Sequence, residues 1–340
     1  MTKNTDRQED RGVSPVPADP PAPELKQAHA EAIVSAAVES HSPATRRSYD
    51  AAWRQFVEWC DSEGYTPFPA DPQIVAAYLT ERAEAGRSFA TLKVGRAAIR
   101  YFHESRGVDS PTQSAGVSRV LRGLARRAAA AKLVQGRGQA TGLTARHLAG
   151  IIATARQRRT FLGGARESET AAKRRGNLDI ALIATMRDGL LRRSEAIALT
   201  WADVEFKDDG TALVTIRRSK TDQTGEGAVQ YIGFDAAAAL KAIRPDDEDD
   251  AAISGRSVFG LKTGESVSRR ITAAARAAGL KGRFTGHSPR IGMAQDLAAA
   301  GASTTALMTA GRWRAHRMPA HYARGETARN GAVSRYYRSR

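Results

Sequence analysis

The chain has 340 residues, enough for two domains with separate cores, and 41% of them are hydrophobic, which excludes a wholly disordered or fibrous protein. Its 52 Lys and Arg outnumber 36 Asp and Glu for a net charge of +16, an excess that favours a polyanionic partner. The single cysteine, Cys60, excludes an internal disulfide and a thiolate zinc cluster, and no apolar run reaches the roughly 18 residues of a membrane span, so a soluble cytoplasmic protein is expected.

Residues 1–24 are rich in Pro, Asp, Thr and Ala and read as a disordered tail. A helix is expected over 28–39, with Ile33, Val34 and Val38 as its apolar stripe. Ser42-Pro43 then reads as a cap and first-turn proline, followed by Tyr49, Trp53, Phe56, Val57 and Cys60 at helical spacing until Gly64. Asp71-Pro72 opens the next helix, ending near Gly86, and Ser88 caps another carrying Leu92, Ile99 and Phe102. A fourth spans Thr112 to Lys132, with Val117, Val120, Leu121 and Leu124 on one face and Arg119, Arg122 and Arg126 as a basic stripe beside it. These helices predict a DNA-binding bundle over 25–133. From Ser110 to Arg166 there are eleven basic residues and no acid, a composition suited to tracking a nucleic-acid backbone. Arg119, Arg122, Arg126, Arg127, Lys132 and Arg137 are the candidate contacts.

Residues 134–142, with three glycines and no apolar side chain larger than alanine after Val134, read as an interdomain linker. The second domain, 143–340, begins with a helix capped by Thr144 and bearing Leu148, Ile151 and Ile152. Further helices are expected over Leu178 to Asp188 and from the Gly189–Glu195 run to just before Trp201. Residues 211–217 and 228–234 are β-branched and aromatic enough for a hairpin, whose long polar tip holds Lys220. Asp246 to Asp250 form an acidic loop, and helices resume at Ser266 to Gly279, Pro289 to Ala300 and from Ser303. Gly311-Arg312-Trp313 breaks that last helix, and Ala328 to Tyr337 predicts a final basic one. The fold class expected is mainly α with a small β-hairpin or sheet.

The chemistry gathers at Gly286-His287-Ser288-Pro289-Arg290. Ser288 before Pro289 reads as an N-cap with proline at the first helical position, and His287 and Arg290, three apart, share a face. A planar guanidinium, an imidazole and a helix N-terminus together suit a phosphate. Tyr322 is the candidate nucleophile. The seven histidines show no metal-ligand pattern and no phosphate-binding glycine loop precedes a Lys-Ser/Thr pair, so neither a metal nor another cofactor is expected.

Leu191-Arg192-Arg193-Ser194-Glu195, Lys220 in a hairpin, Gly286-His287-Ser288-Pro289-Arg290, Gly311-Arg312-Trp313 and Tyr322, in this order, resemble the catalytic motifs of the tyrosine recombinases, the phage integrase family. The resemblance extends to the N-terminal bundle, which is similar to that family's core-binding domain, followed by its α+β catalytic domain. It implies that Tyr322 attacks DNA to give a 3′-phosphotyrosine, that Arg192 and Arg290 hold the phosphate, and that His287 and Trp313 donate to it, with His287 also handling the tyrosine proton. It further implies that Lys220 protonates the leaving oxygen and that Glu195 orients its neighbours. Trp313 stands where most members carry histidine, and Arg193 where an aliphatic residue is usual. The partners implied are double-stranded DNA with a specific site and a homotetramer passing through a Holliday junction, docked by the terminal helix, in a nucleoid-associated protein without membrane contact. A type IB topoisomerase-like relaxing enzyme and a non-catalytic DNA-binding protein are the alternatives.

Overall fold

In the computed structural model of the protein, the described residues are 41–130, 138–160, 163–217, 227–245, 249–322, and 325, 329, 331, 334, 336 and 337. The chain divides into two compact units, Met1–Gly138 and Gln139–Arg340. The expected 1–24 tail, the 28–39 helix, the hairpin tip with Lys220, and Lys132 and Arg137 lie outside the described residues, as does half of the predicted terminal helix. No helix among the described residues is long and apolar enough to cross a membrane.

The first unit holds four α-helices among its described residues: α1 (Pro43–Glu63), α2 (Pro72–Glu84), α3 (Phe89–Glu104) and α4 (Ala115–Ala130). Their starts follow from side-chain caps that satisfy otherwise orphaned amides. Ser42 Oγ accepts from Thr45 N at 3.2 Å, Asp71 Oδ1 from Gln73 N at 2.6 Å and Ser88 Oγ from Thr91 N at 3.2 Å. Gly64 ends α1 at φ 74°, in the left-handed region that glycine enters without a Cβ clash. The helix expected over 112–132 is instead a 3₁₀ turn, Pro111–Gln113, followed by α4. The break falls at Ser114, whose extended backbone lets its Oγ accept from Val117 N at 3.2 Å and restart the helix. Phe56, Cys60, Val75, Leu79, Ile99 and Val117 are fully buried at the centre of the bundle, each contributing roughly 1.5–3 kcal/mol of burial for the larger apolar side chains. The expected role of the α1 aromatics as core holds for Phe56 and for partly buried Trp53. His103, also fully buried, accepts from Ala70 N through Nε2 (3.0 Å) while Nδ1 donates to Ile99 O (2.7 Å), which fixes it as a neutral tautomer.

In the second unit, α5 (Ala145–Thr154), α6 (Glu169–Asp188) and α7 (Arg193–Ala198) precede a sheet of β1 (Val204–Phe206), β2 (Ala212–Ile216) and β3 (Ala228–Ile232). Then come α8 (Phe234–Lys241), α9 (Asp250–Ile253), α10 (Gly264–Ala277), α11 (Ser288–Ala299), α12 (Thr304–Gly311) and α13 (Arg317–Tyr322). The sheet is antiparallel in the order β1-β2-β3, with Val204 opposite Val214 and Leu213 opposite Tyr231. On β2, Ala212, Val214 and Ile216 turn into the core while Thr215 faces out, the period of two of a strand. α6 begins nine residues before the expected Leu178, because Ser168 Oγ caps it on Ala171 N (3.1 Å). Its first half buries Ala172, Gly176 and Asp179, which carry no large apolar periodicity. Asp179, 1% exposed, is paired with Arg270 of α10 at 2.8 Å and ties the two helices.

α6 crosses the middle of the core and α11 packs on it, so the fold brings the C-terminal end of one beside the N-terminal end of the other. Gly292 makes the seating of α11 possible: a Cβ there would collide with the Leu143 backbone, whose N–H donates to Ser288 O at 2.8 Å. Thr141, expected in the linker, is bound into this unit, with its N–H donating to Arg283 O at 2.9 Å.

Candidate active site

The site starts from a turn that the sequence reading passed over. α6 ends at Gly189, and Leu190 follows with φ 44°, a left-handed backbone that costs a non-glycine residue on the order of 1 kcal/mol. This aims the Leu190 carbonyl at two cations: it accepts from Arg290, and from Arg312 Nη2 at 3.3 Å.

Two residues on, Arg192 is the N-cap of α7 and Glu195 its third residue. The Glu195 carboxylate, 2% exposed, accepts from Arg192 N (2.8 Å) and Arg192 Nη1 (2.7 Å), and from Arg312 Nη2 (2.7 Å). A buried carboxylate is tolerable because charged donors surround it. Arg290, on the first turn of α11 and 1% exposed, donates to the carbonyls of Leu190 and Gly311. Its guanidinium carbon lies 4.8 Å from the centroid of the Trp313 ring. Trp313, 7% exposed, packs against Gly311, where a Cβ would run into the indole.

His287 and Tyr322 complete the group. His287 Nε2 and Tyr322 Oη are 2.9 Å apart, and the Tyr322 ring centroid is 5.6 Å from those of both His287 and Trp313. The start of α11 differs by one residue from the expectation. His287 is the N-cap, Ser288 and Pro289 are its first two helical residues, and Ser288 Oγ accepts backward from Thr285 N at 2.9 Å. Proline remains tolerated there because first-turn amides have no intrahelical partner.

Electrostatically, three guanidiniums face one carboxylate. Burial, with Arg290, Arg192 and Arg193 adding like charge, pulls the His287 pKa from 6.5 down to about 4, so the imidazole is neutral at pH 7. Burial chiefly, then Arg192 and Arg312, lowers Arg290 from its ordinary value to about 9, which leaves it charged at pH 7. Burial raises the Tyr322 phenol above 10.0 against the opposing pull of Arg290 and Arg192, so the resting hydroxyl keeps its proton. A neutral phenol hydrogen-bonded to a neutral imidazole can pass its proton along that bond, and the arginines can receive an anion beside it.

Of the sequence-predicted residues, Arg192, Glu195, His287, Arg290, Trp313 and Tyr322 therefore meet in one place; Lys220 is outside the described residues. Arg119, Arg122, Arg126 and Arg127 are all exposed on α4, with Arg127 3.7 Å from Glu84. Sequence reasoning missed Arg312 and Leu190. Their only signal was adjacency to motif residues, since left-handed backbone leaves no periodicity to read.

Two family models match the chain: the phage integrase family over residues 165–329, and the phage integrase N-terminal SAM-like domain over 36–105. It is similar to recombinase Cre of Escherichia phage P1, 23% identical over 305 residues, covering 83% of this chain and 84% of that protein. An integrase/recombinase XerD homolog of Selenomonas ruminantium is 24% identical over 311 residues, covering 86% of this chain and 85% of that protein. Among solved structures, the Tn1549 transposon integrase in complex with transposon right-end DNA superposes with a TM-score of 0.57 at 14% identity, over 87% of this chain and 98% of that one. A lambda integrase dimer bound to a core site gives 0.54 at 18% identity, over 87% and 93%. These two likenesses establish the fold.

Proposed function

Since this chain belongs to the phage integrase family of tyrosine recombinases, we propose that it cuts and rejoins DNA at a specific site through Tyr322, as a tetramer on two sites that exchanges strands through a Holliday junction. The observation that carries the chemistry is the 2.9 Å contact between the Tyr322 hydroxyl and a neutral His287 beside buried Arg290. In the reaction, Tyr322 Oη bonds to phosphorus as its proton passes to His287 Nε2, and the P–O5′ bond breaks. The products are a 3′-phosphotyrosine and a 5′-hydroxyl. Arg192 and Arg290 take up the charge that grows on the non-bridging oxygens, and Trp313 walls the site against Tyr322. Lys220 supplies the proton of the departing oxygen, an assignment supported by the family resemblance alone. Because a phosphodiester is exchanged for a phosphotyrosine of similar energy, rejoining needs no external energy source, and DNA binding and protomer assembly provide positioning.

The test uses a duplex selected by the protein from a random-sequence pool and resynthesised with a 5′-bridging phosphorothiolate at successive positions. Incubation with wild type should give a covalent protein-DNA band on a denaturing gel at one phosphate on each strand, and Tyr322→Phe should give none. Binding without any band would leave a DNA-binding protein that does not cut. Relaxation of an arbitrary supercoiled plasmid by a monomer would point instead to a topoisomerase-like activity.

A further inference from the structure

We propose that Arg312 is a positioning residue of this site, one that acts through Glu195 on Arg192. The inference rests on the functional reading above for what Arg192 binds.

Arg312 closes α12 with φ 52° and ψ 46°, a left-handed conformation that suits glycine and costs arginine on the order of 1 kcal/mol. The side chain found at that strained position is nonetheless committed inward. It is 11% exposed, and its guanidinium donates to three acceptors on one short stretch of another element: Gly189 O at 3.2 Å, Leu190 O at 3.3 Å and Glu195 Oε2 at 2.7 Å. One guanidinium thus bridges the α12–α13 connection and the Gly189–Glu195 turn. A flexible point charge cannot do the same, because three acceptors in different directions call for a planar fork of donors.

The oxygen that Arg312 holds is the one that accepts from Arg192 N, and the other oxygen of the same carboxylate accepts from Arg192 Nη1. Glu195 is therefore oriented from behind by Arg312 and orients Arg192 in front. With Arg312 removed, one charged donor leaves a carboxylate that is 2% exposed, and its plane is free to turn. Arg192 then loses the alignment needed to meet a phosphate with two parallel hydrogen bonds. The hydrogen bonds of the Arg312 guanidinium run from Nη1 and Nη2 to Gly189, Leu190 and Glu195, and its Nε is buried.

The decisive variant is Arg312→Gly, because glycine accepts the left-handed backbone, so the side chain is removed without adding backbone strain. Adduct formation is timed on the phosphorothiolate duplex at saturating protein, where the irreversible product lets slow variants be followed over hours. Arg312→Gly should keep the thermal midpoint of the wild type within a few degrees and its DNA affinity within about twofold, while slowing adduct formation about thirtyfold, the scale of one or two charge-assisted hydrogen bonds. Arg312→Lys should recover little of that loss. In an Arg192→Ala background the further loss on Arg312→Gly should shrink below about threefold, since the two act in one chain. An undiminished thirtyfold loss in that background would show a general structural role and overturn the proposal. So would Arg312→Gly cutting at the wild-type rate. Absence of an adduct from wild type itself, on DNA it binds, would overturn the functional reading and this inference together.

Discussion

Replacing Glu195 by Gln tests whether the carboxylate is the electrostatic keystone between Arg192 and Arg312. Its Oε2 accepts from Arg192 N and Arg312 Nη2, and its Oε1 from Arg192 Nη1, all within 2.8 Å. An amide preserves the shape but keeps only one acceptor. If its oxygen takes the place of Oε2, its NH₂ faces Arg192 Nη1, and a donor meets a donor. One charge-assisted hydrogen bond is then lost outright and two are weakened to neutral-acceptor strength, which sums to about 2 kcal/mol. Glu195→Ala removes every acceptor and leaves two partly buried guanidiniums facing each other, for about 4 kcal/mol. Native-state hydrogen exchange read by mass spectrometry suits the measurement, because peptides covering Leu190–Leu199 report on this turn separately from the helical unit. Opening there should become easier by those amounts while α1–α4 stay unchanged. A Glu195→Gln protein whose exchange in this segment matches wild type within about 0.5 kcal/mol would refute the reasoning, since an uncharged group would then serve equally well.

Two further outcomes concern pH. A His287 pKa of about 4 means the imidazole stays a neutral base until the solution approaches that value, so the second-order adduct-forming rate at subsaturating protein, which reports the free protein, should be flat from about pH 8 to about pH 5. A fall centred near 6.5 would show an unshifted histidine. His103 in the first unit is held neutral chiefly by burial, which lowers its pKa from 6.5 against the opposing pull of its bond to Ile99 O, while its Nε2 accepts from Ala70 N. Between 6.5 and that lower value the unfolded chain binds the extra proton, so this contribution to stability is complete above 6.5 and is lost as pH falls. His103→Gln keeps an acceptor for Ala70 N and cannot titrate. Its melting temperature should depend on pH less steeply than that of wild type between pH 7.5 and about 5, and equal slopes would contradict the assignment.

What the sequence disclosed depended on whether local chemistry left a mark on it. Ser42, Asp71, Ser88 and Ser303 announced their helices because a short side chain before a helical run has one main use, and each accepts from an amide two or three residues ahead. β2 and β3 were both legible through their β-branched and aromatic composition. β1, three residues long, was missed, since Val204–Phe206 is too short to show a period. The first half of α6 was missed for another reason: its buried positions are taken by alanine, glycine and an ion-paired aspartate. In the site, residue types and order picked out Arg192, Glu195, His287, Arg290, Trp313 and Tyr322, which the fold gathers from four separate elements. The left-handed turns at Leu190 and Arg312 that join them are tertiary facts. Neither residue favours that backbone by itself, so only the surrounding contacts hold it there.

The two described acceptors of Arg290 are peptide carbonyls, those of Leu190 and Gly311. A carbonyl fixes a cation without cancelling it, whereas a carboxylate would do both. The site therefore carries a standing positive charge in its interior, and the rest of the fold must outweigh the cost of keeping it there. That cost belongs to the resting protein and is relieved when an anion arrives, so the free energy is spent before the encounter and need not be found during it. Stability and readiness are in this way set against each other at a single residue, and a change that made the unliganded protein more comfortable around Arg290 would blunt its hold on what it meets.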